Sequence, residues 1–437
     1  MFRRLPKEDK LAEKLDLSYG SQVSATSPLA SSSWSVLKVS AKSLLTSPQW
    51  LRQQVWTVST EIVLSLLAAI GLVRGIEAGK VALGLAVVYA LAAFAALPLA
   101  RGGKGRLAWV GFFTVALAIA ATTQHGKAGW WWLAGAAGGL MAFRDSAYLS
   151  ATAWSPWRAM RCRTSPLSMA ATSQSLGILI AAIATLLSAI AQKYWPGWAA
   201  AVVLFALIVG IPDAFMQRKH LPSVRQPIKA FKQSWKIPDL HHPRVRPVMT
   251  TAILFSAAHL MGRRMVLPLL LIAFTSRLGW ESHALVMVGV AMSFISVVAL
   301  LGRLASSPSK NMTPQEWFKK GIKVNTIAWI VIIVLAFVQS YVHIAIAFVW
   351  LLVAWLAMEI AGRRWSVGYI DTLRALSHEV RVRRNRAHRE VLTADILARN
   401  SVAAGGLVLG AFAASVMPAV MLSILSVCAW RVWRQTK

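Results

Sequence analysis

Seven ionisable side chains fall within, or at the ends of, long apolar stretches: Glu61, Arg144, Asp145, His259, Arg263, Arg264 and Glu359. Glu61 interrupts VWTVSTEIVLSLLAAIGLV (55–73), and the arginine pair interrupts LFSAAHLMGRRMVLPLLLIAF (254–274). A charge inside an apolar span is costly and usually faces a partner or a cavity. A carboxylate there can carry a proton, and a guanidinium can hold an anion through its planar fork of donors. His259 and Arg263, four residues apart, share one helix face, with Arg264 about 100° further round. Glu61 is the carboxylate placed furthest inside a span, so it is the expected partner of Arg263 or Arg264. Two readings stay open. Glu61 takes part in proton coupling while Arg263, with Arg264 and His259, binds an anionic group on a solute; or the set is a static ion pair between helices.

The elements that must position these residues are membrane spans. The 437 residues are 57% apolar and 14% charged, with a mean hydropathy of +0.55. Runs such as 81–100 match the roughly 20 apolar residues needed to cross a bilayer. Twelve spans follow: about 54–73, 81–100, 107–124, 128–143, 168–191, 198–216, 249–274, 282–302, 322–341, 343–361, 392–412 and 415–432. The expected class is an all-α integral membrane protein.

The formal net charge of +31 would suit nucleic acid binding, but its distribution has another cause. Threaded through twelve spans, 40 of the 47 Lys and Arg residues lie on one side. Only Arg74, Lys80, Lys127, Lys193 and Arg277 lie on the other. Positive loops stay cytoplasmic, so both termini are expected inside, in a bacterial inner membrane. The basic inner surface would meet anionic lipid headgroups, and no nucleic acid partner is expected. Trp130, Trp131, Trp132, Trp195, Trp198 and Trp280 are expected at the outer interface, and Trp56, Trp109, Trp365, Trp430 and Trp433 at the inner one. Cys162 and Cys428 support neither a disulfide framework nor a metal site. Walker A, GxSxG, HExxH and CxxC patterns are all missing from the sequence, so neither an enzyme nor a cofactor or metal is expected.

The longest loop among the first ten spans, 217–248, is basic and rich in Pro. It divides a cytoplasmic N-terminal segment (1–53) and a six-span half (54–216) from a second six-span half (249–432) and a tail (433–437). Residues 34–53 alternate apolar and basic positions, as an interfacial helix does. Each half has a short basic loop after its second span and a long basic loop after its fourth. Parallel six-span halves of this kind mark transporters.

On these features residues 54–432 resemble the major facilitator superfamily. PLARGGKGRL after span 2 supplies Gly105 and Arg106 where that family's gate motif has Gly and Arg, with Pro98 and Gly102 in place of its leading Gly and its Asp. Gly302 and Arg303 fit the equivalent turn after span 8. The pattern at Ser173–Gly177 resembles the family's span 5. The resemblance implies twelve helices in two six-helix pseudo-repeats, with spans 1, 4, 7 and 10 lining a central cavity. The interior charges fall on those four spans. It implies secondary transport of a small organic solute by alternating access, with export favoured, and gate or loop ion pairs at Arg144 with Asp145 and at Glu359 with Arg363. The degenerate motif leaves open a non-transporting assembly protein, and the basic inner face leaves open a lipid flippase.

Overall fold

The computed structural model describes residues 42, 44–46, 48–101, 104–124, 126–152, 166–215, 245–305, 314–358, 384–412 and 417–434. Twelve long helices account for nearly all of them. They are α1 (Pro48–Val73), α2 (Ala78–Arg101), α3 (Lys104–Thr123), α4 (Lys127–Thr152), α5 (Pro166–Tyr194) and α6 (Trp198–Phe215), then α7 (245–277), α8 (Ala284–Ala305), α9 (Pro314–Val338), α10 (Ile344–Met358), α11 (Arg384–Phe412) and α12 (Met417–Arg434). Helices are the expected answer to lipid, where every backbone polar group must be bonded within the segment. Pro at the first position starts α1, α5 and α9, where its missing N–H would have been unpaired in any case.

The twelve expected spans each fall on one helix. The differences lie at the ends and have one cause: helices continue through polar residues that hydropathy counts as loop. Hydropathy ends span 4 at residue 143, yet α4 continues to Thr152 and so takes Arg144 and Asp145 into its body. Hydropathy starts span 11 at residue 392, yet α11 begins at Arg384. Gly105 and Arg106 lie in the first turn of α3. The loop at 217–248 falls outside the described residues, apart from the first turns of α7.

The halves pack most extensively through α2 with α11 and α5 with α8. Small residues bring these backbones close. A Cβ at Gly79 would lie 2.9 Å from the Ala411 carbonyl oxygen, and the Ser293 hydroxyl donates to the Ala182 carbonyl at 2.6 Å. Within the first half, Trp50 Nε1 donates to Ser173 Oγ at 2.7 Å, tying the start of α1 to the serine pattern on α5. Trp130, near the outer end of α4, turns inward: it is fully buried, its Nε1 donates to the Leu67 carbonyl at 2.7 Å, and its ring fills the space over Gly84.

The repeat seen in the loops recurs in the backbone. Helix α1 ends with Gly75 at φ 71°, and the N–H of Ile76 bonds to the Gly71 carbonyl. Helix α7 ends with Gly279 at φ 70°, and the N–H of Trp280 bonds to the Thr275 carbonyl. Both are Schellman caps, which need a left-handed residue and therefore favour Gly. Each is followed by a chain reversal held by an arginine. Arg74 donates to the carbonyls of Gly126 and Pro196, and Arg277 to those of Gln339 and Val342.

The arrangement puts Tyr194 and Tyr341, 79% and 89% exposed, at one end of the bundle and Arg434 at the other. In a cysteine-free background, Tyr194→Cys and Tyr341→Cys should react with an impermeant maleimide added to intact cells. Arg434→Cys should react only after permeabilisation. Labelling of all three from one side would overturn the twelve-helix arrangement.

Candidate functional site

Helices α1 and α7, the first helices of the two halves, meet at Glu61. Arg264 Nη2 donates to Glu61 Oε2 at 2.5 Å, and Arg264 Nη1 donates to Ser65 Oγ at 2.8 Å, one turn along α1. Arg263 Nη2 lies 3.9 Å from the same Glu61 oxygen, and Arg144 Nη1, on α4, lies 3.7 Å from Oε1. Three guanidinium groups from three helices thus converge on one carboxylate. Their exposure is uneven. The Arg264 side chain is 2% exposed, while those of Arg263, Glu61 and Arg144 are 25%, 24% and 21% exposed. The wetter three border space that the packing of the helices leaves unfilled.

Neighbouring residues on an α-helix point about 100° apart, so Arg263 and Arg264 would not be expected to face one carboxylate together. The backbone supplies the reason. Residues Gly262–Val266 form a π turn, in which the Leu267 N–H bonds to the Gly262 carbonyl five residues back. Pro268 follows in the first turn beyond it, and a proline has no N–H to offer and crowds the carbonyl four residues earlier. Widening the turn at this point relieves both problems. Such π turns are frequent at functional sites. Gly262 is required where it stands, since a Cβ there would lie 2.0 Å from the Trp329 ring.

The cluster continues toward α11. Arg144 donates through Nε and Nη2 to Asp145 Oδ1 at 3.0 and 2.8 Å, and Asn400 Nδ2 donates to Asp145 Oδ2 at 3.0 Å. Asp145 and Asn400 are buried. A polar chain therefore runs from Ser65, through Arg264, Glu61, Arg144 and Asp145, to Asn400, and it crosses between the halves at both ends. The spacing of charges pointed to Glu61, Arg263 and Arg264. It gave no sign that Arg144 and Asp145, expected among the gate or loop pairs, join them. Ser65, Asn400 and the buried Tyr89 of α2 were missed, because a single neutral polar residue in an apolar helix carries no distinguishing signal.

His259 sets its ring edge-on to Trp329 at 5.9 Å between centroids. Trp329 in turn meets Trp355 at 5.9 Å. Glu359 and Arg363 lie outside the described residues, and for Gly105 and Arg106 only the backbone is described. No group of three or more potential metal ligands occurs among the described residues. An apolar groove of about 850 Å³ between α9 and α10 is lined by residues such as Ile327, Val331, Val349 and Val353. Several of these are more than half exposed, so the groove faces lipid.

Because Glu61 and Arg264 touch, their substitutions should not add. In a thermal-stability cycle of Glu61→Gln, Arg264→Gln and the double variant, the coupling should exceed about 1 kcal/mol, as found for residues in contact. Additivity would mean that the pair does not form.

No protein-family model matches the sequence, and no curated protein matches it. The fold has clear counterparts. A crystal structure of the nucleoside transporter NupG, in a point-mutant form, superposes with a TM-score of 0.58 at 10% identity, over 90% of this chain and all of that one. A POT family transporter in complex with a thioalcohol-conjugated peptide gives 0.58 at 13% identity, over 89% of this chain and 95% of that one. A POT family transporter with 5-aminolevulinic acid gives 0.56 at 14% identity, over 89% and 95%. The chain has the twelve-helix, two-half fold of the major facilitator transporters.

Proposed function

We propose that this multi-pass membrane protein is a proton-coupled secondary transporter for a small organic solute bearing an anionic group. The observation that carries the reading is the convergence of Arg264, Arg263 and Arg144 on Glu61, midway along α1 and α7. An anion entering beside Arg263 competes with Glu61 for the guanidinium groups. Once released from them, Glu61 is free to take a proton. Solute and proton thus exchange at one place, and the ion pair that closes in their absence joins the two halves. Alternating access follows if closing and breaking this pair accompany the rocking of one half on the other. The 40-to-5 distribution of Lys and Arg supports an inner-membrane orientation with both termini cytoplasmic, and export is the favoured direction.

A competing reading is an assembly protein that has kept the fold and lost transport. Pro98 and Gly102 in the span 2 motif favour it. A flippase for lipid-linked substrates is a third, favoured by the basic inner face.

One reconstitution separates these. Wild-type and Glu61→Gln proteins are placed in liposomes carrying an internal pH-sensitive dye, and nucleosides, small peptides and 5-aminolevulinic acid, the solutes named for the structural neighbours, open the panel. Solute-dependent proton flux in the wild type, reduced at least tenfold in Glu61→Gln, is expected. Absence of solute-dependent flux in both would sink the transporter reading.

A further inference from the structure

The Arg264 site contains donors that its present contacts do not use. Arg264 spends Nη2 on Glu61 and Nη1 on Ser65, while its buried Nε–H has no hydrogen-bond partner among the described residues. Tyr89, on α2, is fully buried, with its hydroxyl beside Arg264 and in the field of Arg144 and Glu61. The hydroxyl oxygen lies within reach of Arg264's donors, but its own proton has no acceptor among the described residues. Arginine can only donate, so neither Arg264 nor Arg144 can take the Tyr89 proton. A buried donor left unpaired is unusual and calls for an explanation. An acceptor on a bound solute would supply that partner.

The chemistry of that acceptor is constrained by what already occupies the site. Glu61 is a carboxylate whose Oε2 accepts from Arg264 and whose Oε1 faces Arg144, so the site already holds a planar group by both oxygens. A planar guanidinium matches a carboxylate edge to edge. Arg264 is 2% exposed, so the inner end of the site has little room for a bulkier, tetrahedral anion. We propose that the solute's charged group is a carboxylate, and that Tyr89 donates to it when it takes the place of Glu61 on Arg264. This rests on the transporter reading and narrows it. Glu61 then acts as the internal stand-in for the solute's carboxylate, and Tyr89 is the specificity-determining residue that distinguishes a ligand from Glu61. Its hydroxyl proton is unspent in the internal pair and spent in the external one.

The test uses purified full-length protein in lipid nanodiscs. Carboxylates, carboxamides and phosphonates built on hexyl, benzyl and indolyl frames serve as probes, with thermal stabilisation and calorimetric Kd as readouts. Carboxylates should bind the wild type at least tenfold more tightly than the matching amides and phosphonates. Tyr89→Phe should weaken carboxylate binding at least tenfold while leaving the melting temperature of the ligand-free protein unchanged or raised, because the buried proton it removes has no acceptor there. A merely structural Tyr89 would instead lower that temperature. Glu61→Gln should tighten carboxylate binding, since the internal competitor is gone. The proposal is overturned if amides or phosphonates bind as well as carboxylates, if Tyr89→Phe leaves their Kd unchanged, or if no carboxylate on any frame binds. Solute-driven proton flux in liposomes without carboxylate preference would defeat this inference alone. Absence of flux with every solute would defeat the transporter reading beneath it.

Discussion

Neither half of this protein can bury its own central charge alone. Arg264, almost wholly inside the bundle, belongs to the second half, while Glu61 and Ser65, which receive its donors, belong to the first. Removing one partner of a buried pair commonly costs about 3–5 kcal/mol, because the other charge is left uncompensated. The pair therefore fixes where α1 and α7 must meet along their lengths. Asp145 with Asn400 repeats the arrangement between α4 and α11. Between these contacts, the small-residue packing of α2 on α11 and of α5 on α8 needs only to be close and apolar.

The position of the pair depends on the backbone of α7. Glu61 stands fourteen residues before the Gly75 cap and Arg264 fifteen before the Gly279 cap. A turn closed by a bond five residues back takes in one residue more than an α turn. The π turn at Gly262–Val266 thus absorbs the difference and brings Arg264 level with Glu61 in the pseudo-repeat. It also brings Arg263 round to the same carboxylate. Pro268 and Gly262 are the local causes, one by withholding a donor and the other by admitting the Trp329 ring. A sequence change that restored a regular helix here would separate the two arginines without altering either.

The same physics decides which parts of the molecule are legible in the sequence. The twelve helices are legible because apolar length and the side of the basic loops report directly on lipid. Glu61, Arg263 and Arg264 are legible because charge in an apolar run has few explanations. Arg144 and Asp145 read as the end of a helix, since hydropathy falls at the first charge whether or not the helix stops there; α4 continues nine residues past Phe143, to Thr152. Tyr89, Ser65 and Asn400 are illegible, because neutral polar residues are tolerated across such helices and only their neighbours distinguish them. The π turn is illegible for a similar reason, since Gly and Pro are common in membrane helices.

The gradient of exposure across the site bears on whether the pair is a lock or a working part. A pair that serves only to hold two halves together is best kept dry, because water weakens the attraction it supplies. Apolar residues of similar volume would often serve as well. Here Arg264 is dry, but Glu61, Arg263 and Arg144 are each about a quarter exposed. The carboxylate lies at the boundary, with one arginine behind it and two on its wetter side. On the proposed transporter reading, a solute anion would meet Arg263 and Arg144 before Arg264, and would reach Arg264 only by displacing Glu61. The order of contacts would then be set by burial, with the outer arginines drawing the anion in and the inner one exchanging one carboxylate for another.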